Sequence, residues 1–289
     1  MIKYIYGKGV RAYMKTQAWE NFLNRMLLQD EHDRAAGMPR GQENYCVVLC
    51  QLLGQGSVPQ LEKFLRQRRE AHLFISQPVA YRQGCMLVAM GHDRQVEELL
   101  REWQADFADI GGGDLAVAIG GAYSLCDIYK SLREARMAGF FQQVTGKQAF
   151  VQNFNRMGLF TSLFRQSSAE LAGFCRQTIG PLMEYDKNFN TQLVDTLRAL
   201  LDEDFNWTRT AARLYVHVNT LRYRYEKIRQ ILDMDESLAM RADLFAALRA
   251  FEVLTELKTR DNVVKMPVGK KGKVEEKYFH ADKKAAVSF

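Results

Sequence analysis

Residues Asn206–Ile231 read NWTRTAARLYVHVNTLRYRYEKIRQI, and they predict two short helices joined by a tight turn. Asn206 is a suitable N-cap, because its side chain can accept a bond from one of the orphan N–H groups of a first turn. Trp207, Ala211 and Leu214 follow at helical spacing, with Ala212 beside them, and make one apolar stripe. Tyr215, Val216 and His217 form the link, and Val216 is expected to plug the corner. The second helix is expected from Val218 to about Leu232. Leu221, Tyr225, Ile228 and Leu232 recur at i, i+4, i+7 and i+11 and mark its buried side. Val218, Asn219, Arg222, Tyr223, Glu226 and Arg229 then look outward, with Thr220, Arg224 and Lys227 on the flank.

The chemistry of this segment suits nucleic acid. Arg209, Arg213, Arg222, Arg224, Lys227 and Arg229 stand against Glu226 alone, six minus one, a net of +5. Such a helix fits the major groove with its first turns nearest the bases. Its cations neutralise phosphates and release counterions. Asn219 and Arg222 can make bidentate base contacts, each worth roughly 1–3 kcal/mol of discrimination. Double-stranded DNA is the expected partner, with Arg209, His217, Val218, Asn219, Thr220, Arg222, Tyr223, Arg224 and Lys227 as the contact set. A basic solvated helix in an ordinary helical domain is the bland alternative. The cap, the small-residue first helix, the three-residue turn and the polar start of the second helix together favour DNA.

The run TAARLYVHVNTLRYRYEKI resembles the C-terminal helix-turn-helix of PucR-type and CdaR-type transcriptional regulators, over roughly Leu193 to Leu257. The family pattern has a small-residue helix, then His, a variable residue often Arg, then Asn-Thr-Leu, one residue, and Tyr-Arg. Here it falls on His217, Val218, Asn219, Thr220, Leu221, Arg222, Tyr223 and Arg224. Val218 stands where the family commonly has Arg, which removes one polar contact or replaces it with an apolar one, such as a thymine methyl. The departure leaves room for a module that has lost DNA binding. The resemblance implies a transcriptional regulator, working as a homodimer on paired half-sites.

Ahead of this segment the sequence alternates strands and helices. Strands are expected at Tyr45–Leu52, His72–Ser76, Cys85–Met90, Leu115–Gly120 and Ala149–Phe154, and helices at Pro59–Arg69, Arg94–Phe107 and Leu125–Gly139. That order predicts an α+β, ferredoxin-like domain, with helices on one face of an antiparallel sheet. It resembles the degenerate GGDEF-like, nucleotide-cyclase-like domain of the CdaR-like branch. A working cyclase carries its acidic pair on the hairpin between the second and third strands. Here Gln77–Gly84, QPVAYRQG, has no carboxylate to hold cations. Gly111-Gly112-Gly113-Asp114 lies before the fourth strand and reads as a loop. Gly120 and Gly121, in IGGAYS, could cradle a phosphate, but a tight turn capped by Ser124 explains them as well. The expectation is no catalysis and no cofactor. The rival is a divergent nucleotide-binding or cyclase-like enzyme with an accessory helical domain.

The five cysteines, Cys46, Cys50, Cys85, Cys126 and Cys175, are odd in number and scattered, with no zinc-knuckle spacing. Free thiols fit a reducing, cytoplasmic setting better than a redox sensor. Five histidines, His32, His72, His92, His217 and His280, are too dispersed for a metal site and read as surface or capping residues. No apolar run reaches the eighteen or so residues that span a bilayer, and no membrane partner is expected.

The 289 residues divide, in expectation, into a helical lead-in (1–42) with an amphipathic helix over Thr16–Asp30, an α+β domain (43–156), a helical linker (157–190), a helix-turn-helix domain (191–257) and a disordered basic tail (258–289). The linker holds helices at Gly158–Gln166 and Ser168–Ile179, with Pro181 starting a new short segment. Thr191–Leu201 and Glu236–Leu257 flank the helix-turn-helix, and the apolar stripe Leu244, Leu248, Phe251 and Leu254 either closes the domain or pairs two copies. The tail carries nine Lys and Arg against four Asp and Glu, and the whole chain is +6. The resemblance implies a further sensor domain upstream, as family members usually carry; residues 1–42 leave no room for one, so the expectation is a truncated regulator, a fragment, or a chain whose α+β domain senses the signal itself. The effector, if any, is unknown.

Overall fold

The computed structural model describes residues 43–264, apart from 55, 69–73, 91–92, 147 and 236, and divides into two compact units between Arg165 and Gln166. The helix expected at Thr16–Asp30, and His32, His72, His92 and His280, lie outside the described residues.

The first unit is built on one mixed sheet. Its strands are β1 (Cys46–Leu53), β2 (Phe74–Ile75), β3 (Val79–Tyr81), β4 (Gly84–Met90), β5 (Asp114–Ile119) and β6 (Phe150–Asn153), in the order β2-β4-β1-β5-β6 with β3 also on β4. β1 runs antiparallel to β4 and to β5, with Val48 opposite both Leu87 and Ile119. This is the ferredoxin-like order expected from the element sequence, extended by β6, which lies parallel to β5.

Helices α1 (Val58–Gln67) and α2 (Asp93–Asp109) cover one face. Cys46, Val48, Cys50 and Leu52 of β1 pack there with Leu61, Phe64 and Leu65 of α1 and Val96, Leu100, Trp103 and Phe107 of α2. Each such large side chain contributes roughly 1.5–3 kcal/mol of burial free energy. Cys46 and Cys50 therefore share a face, as their spacing requires.

The expectation of helices on one face holds only for these two. Helix α3 (Ile128–Val144) packs on the other face, where Val47 donates its N–H to Ser131 Oγ at 2.8 Å. The physical reason is in β1 itself, CVVLCQLL, whose alternate residues Val47 and Leu49 are also apolar and buried. A strand apolar on both sides needs cover on both sides. Short helix α4 (Leu159–Arg165) docks on α3 through the rings of Phe141 and Phe160, 4.4 Å apart.

The connection Gln77–Gly84 contains the strand β3, which sequence alone missed. Val79, Ala80 and Tyr81 pair with Met86, Cys85 and Gly84 of β4. Pro78, which cannot donate to a ladder, separates β2 from β3 along this edge, and three residues are too few for an alternation signal. Gly84 is required: a Cβ there would lie 1.9 Å from the Cys50 carbonyl oxygen.

The second unit is all helical: α5 (Ser168–Phe189), α6 (Leu193–Asp202), α7 (Trp207–Arg213), α8 (Val218–Leu232) and α9 (Leu238–Val264). Its core joins Ile179 and Leu182 of α5, Leu193, Leu197 and Leu200 of α6, Ala211 of α7, Leu221, Tyr225 and Ile228 of α8, and Leu244, Ala247 and Leu248 of α9. Helix α5 opens with a capping box between Ser167 and Glu170.

Two sequence expectations fail here. Pro181 does not start a new segment but sits inside α5. It removes one backbone bond, to the Gln177 carbonyl, and both residues face solvent, where water can satisfy it. Ile179 and Leu182, both fully buried, hold the helix on either side. The last helix also continues past Leu257 to Val264, into the segment expected to be tail. Residues 265–289 lie outside the described region.

Candidate nucleic-acid interface

Helix α7 begins where Asn206 accepts the Arg209 N–H at 3.0 Å, so the expected cap is present. Its apolar stripe is narrower than expected. Ala211 is buried and Trp207 and Leu214 are partly so, but Ala212 is exposed. The position buried instead is Thr210, whose hydroxyl donates to the Asn206 carbonyl at 2.8 Å. A side-chain bond back to i−4 lets a polar residue occupy a core-facing position.

The turn that follows is a Schellman motif. Val216 N–H reaches the Ala211 carbonyl at 3.0 Å, and Tyr215 N–H reaches the Ala212 carbonyl at 3.2 Å. Val216 packs against the helical core, which is the corner-plugging role its position implied. Tyr215 takes a left-handed conformation at φ +54° and is 96% exposed.

His217 caps α8, its Nδ1 accepting the Asn219 N–H at 3.2 Å. It is thus a capping histidine, with Nε2 left available. Leu221, Tyr225 and Ile228 are buried as their spacing predicts, while Leu232 is only partly covered.

The sequence-predicted contact residues separate into groups. Asn219, Thr220, Arg222 and Tyr223 stand exposed on the first turns of α8, Tyr223 at 74%. Among the described residues the Arg222 side chain has no ion pair or hydrogen bond. Val218 leans partly on the helical core rather than fully outward. Arg224 is half-buried and its guanidinium donates to Thr196 Oγ1 of α6 at 3.3 Å. Lys227 sits 5.4 Å from the Tyr185 ring centroid, a cation–π contact within the unit. Arg209 pairs with Glu203 at 2.6 Å but keeps most of its side chain in solvent.

Behind this surface lies an ion-pair network that sequence reading did not find. Arg213 of α7 pairs with Asp202 at 2.8 Å and Glu203 at 3.4 Å. Buried Arg249 of α9 joins the same Asp202, and Glu252 at 2.8 Å. Arg249 and Asp202 lie 47 residues apart in sequence, so no local pattern reveals their pairing.

In the first unit, the Gly120–Gly121 segment is occupied by the protein itself. A Cβ on Gly120 would fall 2.0 Å from the Ser131 carbonyl oxygen, so that glycine serves close packing. The Gly121 N–H is taken by the buried Glu134 carboxylate at 2.8 Å. Glu134 also accepts the Tyr123 hydroxyl at 2.6 Å and lies 3.6 Å from Arg165. Burial first, and then the bond to Glu134, push the Tyr123 hydroxyl up to about 12. The thiols of Cys50, Cys85 and Cys175 are likewise raised by burial, Cys85 to about 12 and Cys175 to about 11. Nothing there resembles an activated thiolate.

A short α7, a three-residue turn and an α8 with a polar, basic first turn define a helix-turn-helix of the nucleic-acid-reading class. The comparisons agree: residues 193–250 match the PucR C-terminal helix-turn-helix domain, and residues 33–138 match the GGDEF-like domain. The chain thus carries one stretch similar to each of these two domains. It is 28% identical over 130 residues (42% of this chain, 30% of the relative) to the DNA-binding transcriptional activator AdeR of Bacillus subtilis. It is 35% identical over 105 residues (36% of this chain, 22% of the relative) to the transcriptional activator PmfR of Paenarthrobacter nicotinovorans. The chain thus matches less than a third of the length of either relative. A solved regulator of polyketide synthase expression from Bifidobacterium adolescentis is 15% identical, covering 89% of this chain and 97% of its own, at a TM-score of 0.28, too low to support a comparison of overall shape. No described helix is long and apolar enough to cross a membrane.

Proposed function

We propose that this chain is a DNA-binding transcriptional regulator that reads the major groove with the first turns of α8. The observation that carries the reading is the outward quartet Asn219, Thr220, Arg222 and Tyr223, raised on a helix whose opposite side is locked into the core. Asn219 and Arg222 have the donor and acceptor geometry for adenine and guanine edges. Val218, which half leans on the core, offers its remaining apolar surface to a thymine methyl. Arg209 and Lys227 face backbone phosphates, as does His217 through Nε2. Arg224 contributes by holding α8 on α6, with its charge adding to the local field.

The α+β domain acts without catalysis. Its hairpin Val79–Tyr81 to Gly84–Met90 offers no carboxylate to a metal ion, and its Gly121 amide is already spent on Glu134. The protein works in the cytoplasm as a homodimer, since paired half-sites multiply affinity. The stripe Leu244, Leu248, Leu254 is consumed inside its own unit, so pairing uses another surface. Any small-molecule effector belongs to the α+β domain or to a segment beyond the matched stretches.

The test is binding of the purified chain to duplex DNA across a salt series, beside Arg222→Ala. The expected outcome is binding that weakens linearly in log–log form with salt, by about 0.9 per phosphate neutralised, with a shallower slope in the variant. A folded chain that binds no duplex at low salt would overturn the reading. Light scattering of the free and DNA-bound chain reads the dimer.

A further inference from the structure

Resting on the DNA-reading assignment above, we propose that Tyr215 is a phosphate contact that positions α8 in the groove, its hydroxyl donating to a backbone phosphate oxygen beside the turn.

The argument begins with how helices end in this unit. Four of them, α5 to α8, terminate on a non-glycine residue in the left-handed region: Asn190 (φ +50°), Asp204 (φ +49°), Tyr215 (φ +54°) and Asp233 (φ +47°). Asn and Asp are the side chains that tolerate this conformation. Tyr does not share that tolerance, and glycine is the residue the Schellman position favours. Phe205 (φ +56°) is a second aromatic in that region, but its ring packs on Tyr225 at 5.8 Å and under Arg241 at 4.4 Å. Tyr215 has no such compensation. It is 96% exposed, the most exposed large apolar side chain among the described residues.

A strained residue with a large ring left in water is disfavoured locally on both counts. Strain that the surrounding fold does not use is a mark of a functional position. Its place says which function. The first helix of such a motif crosses the sugar-phosphate backbone and the second enters the groove. Tyr215 sits at the junction, two residues ahead of the His217 cap and four ahead of Asn219. A tyrosine hydroxyl is a common donor to phosphate oxygens, and such contacts set register without reading sequence.

The experiment compares the full chain with Tyr215→Phe, Tyr215→Ala and Tyr215→Gly, using fluorescence anisotropy with a labelled mixed-sequence duplex, alongside thermal unfolding. All three variants are expected to weaken binding about three- to tenfold, the size of one lost hydrogen bond. Their salt slope should equal that of the unaltered chain, because tyrosine carries no charge to exchange for counterions. Tyr215→Gly should unfold at a higher temperature than the unaltered chain, since glycine accepts φ +54° freely. Variants that bind within twofold of the unaltered chain, while that chain binds well, overturn the Tyr215 assignment alone and point to a protein partner at the turn. An unaltered chain that binds no duplex removes both this assignment and the DNA reading.

Discussion

The Glu134 carboxylate accepts the backbone N–H of Gly121 at 2.8 Å and the hydroxyl of Tyr123 at 2.6 Å. One buried acid thus holds the whole strand-to-helix connection after β5. Replacing it with alanine strands an amide and a hydroxyl in a covered site. Glu134→Ala should destabilise the α+β unit by about 2 kcal/mol, read from the urea midpoint of its transition. Glu134→Gln, which still accepts one bond, should lose less.

Tyr123 gives the same cluster a pH signature. Its hydroxyl is raised to about 12 from an ordinary 10.0, by burial and by Glu134. A folded-state value above the unfolded one contributes stability that is complete below pH 10 and is lost as pH climbs through 12. The unaltered chain should therefore lose stability over that window faster than Tyr123→Phe. Parallel pH curves for the two proteins would show that the hydroxyl is not held by Glu134.

Much of this fold is legible from the chain because its signals are local. Asn206 as cap, Val216 as plug and the Leu221–Tyr225–Ile228 face of α8 all follow from spacing within one or two turns. The ferredoxin-like order follows from alternating apolar runs. What escaped notice depends on distance in sequence. Arg249 meets Asp202 across 47 residues, and Arg224 meets Thr196 across 28. The face that α3 covers is not legible because β1 is apolar on both sides over most of its length, and such a run does not say which helix covers which side. The left-handed Tyr215 was hidden for another reason: a three-residue turn was expected, but a Schellman ending needs Gly or Asn to announce itself, and neither is there.

The thiols offer a simple check on packing. Cys46, Cys50, Cys85 and Cys175 are buried, and only Cys126 is partly accessible. Ellman's reagent at mildly alkaline pH should therefore titrate one thiol in the native chain, removed by Cys126→Ser. The other four should react only on denaturation. Fast reaction of Cys46, Cys50 or Cys85 would mean that the sheet face under α1 and α2 opens readily, and fast reaction of Cys175 that α5 does.

Asp186 caps a helix from another helix. Its carboxylate accepts the N–H groups of Leu193 and Val194, each at 2.8 Å, at the start of α6. Gln192, the residue at the cap position itself, makes no such bond. Asp186→Ala should cost about 1–2 kcal/mol in the helical unit. Because α6 carries Thr196, and Thr196 holds Arg224, the loss should also loosen the seat of α8. Amide exchange in α6 and α8 would report it: faster exchange confined to α6 would mean that the Arg224 tie transmits nothing.

Two arginines two residues apart on α8 should behave in opposite ways. Arg222 is exposed and without a partner among the described residues, whereas Arg224 is half-buried against Thr196. Arg222→Ala should leave the unfolding midpoint within about 0.5 kcal/mol, as for surface changes away from packing features. It should nonetheless lower DNA affinity and reduce the salt slope by about one. Arg224→Ala should instead lower stability by about 1 kcal/mol through its lost packing and hydrogen bond, and weaken DNA binding chiefly through that loss. Lowering the temperature to restore the folded fraction should recover most of the affinity of Arg224→Ala and none of that of Arg222→Ala. If cooling rescues both equally, α8 meets DNA by a face other than the Asn219–Tyr223 surface.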